Sequence, residues 1–272
     1  MPLYEEHDFD FLINVGSGEE IESFNHPFLN SIGLFRSEFI YLDRSSIPTI
    51  DEQREILEKI QDKFSGTVTY RTLDIGGDKQ VDYLSLPTEE NPFLGVRGIR
   101  LSLKNEELYR SQIESILTSK DANRVKIMFP MISTIEDFIK SKNIIEDTAK
   151  NLNKKIPEVG IMIETPSSTI LIEDFAQYVD FFSVGTNDLT QYIMAADRGN
   201  PNLMEYHDSL HPAILRVLEN VFSVSKEYKK EVSVCGEMAS DPISAMVLYI
   251  LGLRKFSMSS PAAPFVYEKL IK

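Results

Sequence analysis

Short apolar runs alternate with longer amphipathic stretches from one end of the chain to the other. The runs predict strands over Phe11–Val15, Ile32–Arg36, Thr67–Ile75, Arg124–Met131, Val159–Glu164, Phe181–Gly185, Val232–Cys235 and Lys255–Met258. The stretches between them predict helices: an acidic one near Glu19 to Phe24, then Asp51–Lys63, Glu106–Thr118 and about Ile135–Asn151. Ser167–Tyr178, Leu189–Ala196, His211–Tyr228, Pro242–Leu251 and Pro264–Ile271 follow. Strands this apolar are buried on both faces, as parallel strands are. Eight of them alternating with helices predict an α/β fold, a single-domain (β/α)8 barrel of the TIM type over residues 1–272. An open doubly wound sheet is the runner-up, but no Gly-x-Gly-x-x-Gly turn follows the first strand. One long irregular connection, Gly76 to about Gly98, has the length of a functional loop.

Composition narrows the function. Of the 272 residues 42% are apolar, ordinary for a globular protein. No apolar run approaches membrane-spanning length, and MPLYEEHDFD has neither the basic start nor the apolar core of a signal peptide. A cytoplasmic location without membrane insertion is expected. Lys and Arg number 28 against 42 Asp and Glu, a formal charge of −14. That balance argues against a nucleic-acid partner, yet a few convergent arginines could still hold a small anion. A single cysteine, Cys235, excludes an internal disulfide and a thiolate zinc cluster. On its own it reads as a small buried hydrophobe.

In such a barrel the active site lies at the C-terminal ends of the strands. The second strand ends in Arg36, with Glu38 beyond it. The third carries Arg71 and runs into Asp74-Ile75-Gly76-Gly77-Asp78-Lys79, and its loop holds Arg97. The fifth ends in Glu164, the sixth in Asn187-Asp188 and the seventh in Cys235-Gly236-Glu237. Cations concentrated at one rim of an acidic protein need an anionic partner. Arg36 and Arg71 suit bidentate recognition of phosphate or carboxylate. Glu164 and Asp188, on adjacent strands, suit a hard cation such as Mg²⁺ completed by water and substrate oxygens. The composite predicts phosphoryl chemistry on a small anion. Each residue also has a plainer reading. Arg36 and Glu38 could form a surface ion pair, Arg71 and Asp74 a buried one, and Lys79 could be solvated. Asn187-Asp188 could cap a helix, Glu164 could serve a helix start, and Arg97 and Arg100 could sit on an outer face. Needing all of these at one barrel end is the weaker explanation.

LDIGGDK (73–79), NPFLGVRGIR (91–100), IMFPM (127–131), MIETP (162–166), FFSVGTNDLTQY (181–192), DRGN (197–200), VCGEMASDP (234–242) and FSMS (256–259) follow one another in order. Together they resemble the C-terminal, phosphoenolpyruvate-binding domain of enzyme I of the bacterial sugar phosphotransferase system. The match is collinear from about Asn14 to Ser259. Pyruvate phosphate dikinase and phosphoenolpyruvate synthase have a related barrel, but GTNDLTQY with DRGN and LDIGGDK is most similar to enzyme I.

The resemblance implies roles residue by residue. Arg36, Arg71 and Arg198 match the arginines that bind the substrate phosphate, and Asn187 matches a substrate ligand. Glu164 and Asp188 match Mg²⁺ ligands, with Asp188 also against the substrate. Arg97 and Lys79 match further cationic groups of the pocket. Cys235 matches the acid that protonates the enolate, a role that needs a thiol whose pKa the cationic pocket sets. Periodicity alone leaves Arg198 outside the site, about 15 Å along a straight helix from Asp188. The implied reaction moves phosphate from phosphoenolpyruvate to a histidine and releases pyruvate.

None of the four histidines, His7, His26, His207 and His211, stands in the family's Thr-Ser-His acceptor context. The phosphohistidine and phosphocarrier-binding domains are therefore expected to be absent from this chain, as are the usual last helices, and the acceptor to come in trans. The resemblance also implies a homodimer. Two other readings stand beside it: a lyase or aldolase of the same enolate-forming barrel superfamily, and a non-catalytic phosphoenolpyruvate sensor.

Overall fold

A computed structural model describes residues 7–16, 20–21, 29–42, 44–76, 81, 83–84 and 89–271. Eight parallel strands, β1 (Asp10–Val15), β2 (Ile32–Arg36), β3 (Val68–Arg71), β4 (Val125–Phe129), β5 (Glu158–Ile163), β6 (Phe181–Val184), β7 (Glu231–Val234) and β8 (Lys255–Met258), pair in sequence order. β8 pairs back onto β1 and closes the barrel. The described helices are α1 (Ile50–Lys63), α2 (Ile99–Lys104), α3 (Glu106–Leu117), α4 (Ile135–Leu152), α5 (Pro166–Ile170), α6 (Ile172–Phe175), α7 (Thr186–Met194), α8 (Pro212–Glu227), α9 (Pro242–Ile250) and α10 (Ala263–Ile271). The predicted single (β/α)8 barrel is the observed one. Among the described residues no helix is long and apolar enough to cross a membrane.

Alternation along each strand sorts the side chains into two layers. Ile127, Phe129, Phe182, Val184, Val234 and Phe256 belong to the large core between strands and helices. Their neighbours Leu34, Met128, Met162, Phe181 and Cys235 form a smaller cluster inside the barrel. Phe181 fits there because Gly160 has no side chain: a Cβ on Gly160 would stand 2.4 Å from the Phe181 carbonyl and 2.8 Å from its ring. Below this layer, at the N-terminal mouth, Lys126 pairs with Glu158 (2.8 Å) and Glu231 (3.3 Å), and Lys255 with Glu231 (2.8 Å) and Asp10 (3.6 Å). That end is closed by charge pairs, which leaves the C-terminal end for chemistry.

Several predicted boundaries shift, each for a local reason. β3 ends at Arg71 rather than Ile75; Leu73 and Ile75 are buried but lie in the turn that follows. The Ser167–Tyr178 helix is two short pieces joined at Leu171. There Ser168 and Thr169 hydroxyls donate to the Thr165 and Pro166 carbonyls (2.8 and 2.7 Å) and compete with the helical ladder. An additional helix, α2, starts after Gly98, whose φ of +55° suits glycine. α7 begins at Thr186, three residues before the predicted Leu189, so Asn187 and Asp188 occupy its first turn. Of the helix expected near Glu19 to Phe24, only Glu20 and Ile21 are among the described residues, and both are helical.

Candidate active site

A cavity of about 490 Å³ opens at the C-terminal strand ends. Arg36, Arg71, Arg97, Glu164, Asn187, Asp188, Arg198 and Cys235 all line it. Lys79, the remaining site residue expected from the sequence, lies outside the described residues. Arg100 turns away: its guanidinium donates to the Leu94 and Gly95 carbonyls and to Ser133, and it holds the loop.

The charged groups form one alternating chain. Glu38 Oε1 lies 2.6 Å from Arg71 Nη2, and Arg71 Nη1 lies 3.2 Å from Asp74 Oδ2. Asp74 Oδ2 is 3.1 Å from Arg97 Nη2, and Arg97 Nη1 is 3.1 Å from Asp188 Oδ1. Asp188 Oδ2 faces Arg198 Nη1 at 3.7 Å. Every member except Arg198 is buried. In a low-dielectric site the two buried guanidiniums, Arg71 and Arg97, are each fixed by two carboxylates, so these cations stand preorganised. The plainer readings are thereby sorted. Glu38 does not pair with Arg36 on the surface; it is fully buried against Arg71, while Arg36 meets Glu20 at 3.2 Å and Phe39 at 4.9 Å. Asp74 does pair with Arg71, but as one link of the chain. Asn187-Asp188 is not a helix cap: Gly185 holds that position with no side-chain cap, and Asp188 serves two arginines.

Arg198 reaches the site because α7 is short. Ala195 adopts a left-handed conformation (φ +51°) and ends the helix. The chain then turns back, and Arg198 N donates to Gln191 Oε1 at 2.9 Å. The Phe93 ring lies 5.9 Å from the Arg97 guanidinium and 5.7 Å from that of Arg198. Tyr192, one helical turn beyond Asp188, takes a hydrogen bond from Arg97 Nη1 (3.3 Å) and donates to the Phe93 carbonyl. Glu38, Asp74 and Tyr192 are the site residues that the sequence reading did not assign. Tyr192 was visible as the i+4 neighbour of Asp188 on one helix face.

Glu164 accepts a hydrogen bond from Met131 N at 2.6 Å, presented by a left-handed Met131 (φ +56°). Burial, with the nearby Asp188 and Asp74 carboxylates, pushes the Glu164 carboxyl up to about 8, against the pull of Arg71 and Arg97. A carboxylate raised first by burial and then by neighbouring carboxylates is one that a cation would return to its charged form. Glu164 and Asp188 are thus the residues that could hold a hard divalent cation. Among the described residues no cluster of three or more His, Cys, Asp or Glu completes a protein-only metal site. Water and substrate oxygens would supply the rest.

Cys235 follows β7 and is buried, its Sγ 3.5 Å from the Val184 carbonyl. Burial pushes the thiol up to about 11, and the opposing pull of Ser183 and Arg71 does not overcome it. The expectation that the cationic pocket sets this pKa is therefore corrected: desolvation sets it, and the thiol keeps its proton at neutral pH. Asn14 Nδ2 donates to the Cys235 carbonyl (2.9 Å) and fixes the turn. Asn187 is engaged at both ends of its amide: Nδ2 donates to Glu237 Oε1 and Oδ1 accepts from Glu237 N, each at 3.0 Å.

Comparison with known proteins identifies the family. The family model described as PEP-utilising enzyme, PEP-binding domain matches residues 1–272. Phosphoenolpyruvate-protein phosphotransferase of Bacillus subtilis is 41% identical over 93% of this chain and 46% of its own length. A multiphosphoryl transfer protein of Rhodobacter capsulatus is 42% identical over 88% of this chain and 29% of its own. The chain spans about half the length, or less, of these relatives. A citrate lyase from Burkholderia xenovorans has a similar fold (TM-score 0.59) at 17% identity, over 96% of this chain and 76% of that one. That likeness is one of fold alone. The chain belongs to the PEP-utilising enzymes and corresponds to their PEP-binding domain.

Proposed function

We propose that this chain is the catalytic domain of a phosphoenolpyruvate-protein phosphotransferase. It binds phosphoenolpyruvate with Mg²⁺ at the barrel mouth, passes the phosphoryl group to a histidine supplied in trans, and releases pyruvate. The observation that carries this reading is the buried chain of guanidiniums and carboxylates sharing one cavity with the buried Cys235 thiol.

Arg36, Arg71 and Arg198 hold the phosphate, with Arg97, Lys79 and Asn187 completing the pocket. The Arg71 and Arg97 guanidiniums are already oriented by their carboxylates, so little reorganisation of these cations opposes the reaction. Glu164 and Asp188 hold the metal, which when bound stabilises charge on the phosphate and enolate oxygens. Cys235 gives its Sγ proton to the methylene carbon of the enolate, which becomes the methyl group of pyruvate, and the thiolate regains a proton from solvent. A phosphohistidine domain and a small phosphocarrier protein are the partners in this reading, with a homodimer in the cytoplasm and sugar transport as the destination of the phosphate.

The test is exchange of pyruvate methyl protons with D₂O, followed by NMR with Mg²⁺ present. Wild type is expected to exchange, and Cys235→Ala to lose roughly 10² to 10⁴-fold while phosphoenolpyruvate binding persists. Equal exchange in both would remove Cys235 from the reaction. Binding with no exchange in wild type would favour the sensor.

A further inference from the structure

Two arginines at the cavity mouth differ in how firmly they are held. Arg97 is buried and meets both Asp74 and Asp188 at 3.1 Å. Arg198 is a third exposed, and its ion pair with Asp188 is long, at 3.7 Å. A loosely held arginine samples several rotamers, and fixing them costs free energy each time an anion binds. The second contact that limits Arg198 is with the Phe93 ring, whose centroid lies 5.7 Å from the guanidinium carbon. The same ring lies 5.9 Å from the Arg97 guanidinium. One aromatic ring thus touches a fixed cation and a loose one.

Phe93 is itself held in place. It stands in a short 3-10 turn, Pro92–Leu94, where Leu94 N donates to the Asn91 carbonyl at 2.9 Å. Glu89 accepts from Val96 N, and Arg100 donates to the Leu94 and Gly95 carbonyls. The Phe93 carbonyl accepts the hydroxyl proton of Tyr192, and the same hydroxyl accepts from Arg97 Nη1 at 3.3 Å. Tyr192 stands one turn after Asp188 on α7. One helix face therefore holds both the carboxylate that Arg198 meets and the backbone that carries its aromatic neighbour.

We propose that Phe93 and Tyr192 form a clamp that positions the Arg198 guanidinium at the cavity mouth, Phe93 by its ring and Tyr192 by holding the Phe93 backbone. Neither lines the substrate cavity, so both act through Arg198 as positioning residues. That Arg198 then meets the substrate phosphate rests on the phosphoenolpyruvate reading; the clamp itself does not.

Phe93→Leu removes the ring, and Tyr192→Phe removes only the hydroxyl. Arginine Nε–H resonances are followed by NMR in the ligand-free protein, and phosphoenolpyruvate with Mg²⁺ is titrated by calorimetry. The Arg198 resonance reports the ring current of Phe93 and is expected to shift in both variants, while Arg71, held by Glu38 and Asp74, keeps its position. Affinity is expected to fall roughly two- to five-fold in each, the range of an exposed cation–π contact. In an Arg198→Ala background the same substitutions should leave affinity unchanged, because the residue they position is gone. The two substitutions lie on different elements, so a folding defect in one leaves the other to decide. An Arg198 resonance that a folded variant leaves in place, or an equal loss of affinity with and without Arg198, would overturn the clamp. A wild type that binds no phosphoenolpyruvate would overturn the substrate reading instead, and the Arg198 resonance would then decide the clamp by the same rule.

Discussion

Asp74→Asn is the perturbation that probes the charged chain most cleanly. Asp74 is 2% exposed and bridges Arg71 at 3.2 Å and Arg97 at 3.1 Å. The asparagine keeps the volume but removes the charge shared by two buried guanidiniums. Glu38 still neutralises Arg71 and Asp188 still neutralises Arg97, so neither cation is stranded. Breaking one link of a buried pair costs about 3–5 kcal/mol. The remaining partners place this case at the lower end, about 3 kcal/mol. For a chain of this size each kcal/mol lowers Tm by about 2–4 °C, so a fall of roughly 6–12 °C is expected. Calorimetric melting of wild type and mutant measures it. A double-mutant cycle with Arg97→Met should return a coupling of about 1 kcal/mol or more, since the two residues are in contact. A fall below about 2 °C, or a coupling near zero, would mean that the chain is screened by water and does not act as a preorganised unit.

Two further outcomes follow from the packing and the thiol. Gly160→Ala drives a Cβ to 2.4 Å from the Phe181 carbonyl and should destabilise the barrel by about 1–3 kcal/mol, read by urea denaturation; a neutral change would mean that β5 and β6 can separate freely. The Cys235 thiol, raised to about 11 by burial, should show thiolate absorbance only above about pH 10 in the folded protein. Because the folded-state value is raised, its contribution to stability is present below the unfolded thiol value near 8.5 and is lost as pH climbs through about 11. Cys235→Ala should flatten that alkaline limb, and titration of the folded thiol near 8.5 would contradict the burial argument.

The barrel was legible because strands buried on both faces leave unbroken apolar runs that helices interrupt. The same signal overran β3, since Leu73 and Ile75 are buried in a turn, and apolar character alone does not distinguish a strand from its exit. At the site, charge type and position were readable and partners were not. Glu38 and Asp74 were visible as carboxylates, but their roles depend on which guanidinium each one meets in three dimensions. Arg198 was the clearest gap. A straight α7 would carry it away from Asp188, and the left-handed turn at Ala195 that brings it back has no glycine to announce it. Only the resemblance placed Arg198 in the pocket.

The most direct measurement is phosphoenolpyruvate binding by titration calorimetry, with and without Mg²⁺, for wild type and Arg198→Ala. Arg198 is one-third exposed, so its removal tests the pocket while leaving the buried chain intact. The account predicts binding that requires Mg²⁺ and weakens roughly ten-fold or more in the variant, as loss of a charge-assisted bond to phosphate implies. Binding indifferent to both the metal and Arg198, or a protein that binds pyruvate but not phosphoenolpyruvate, would contradict it and return the lyase reading to the front.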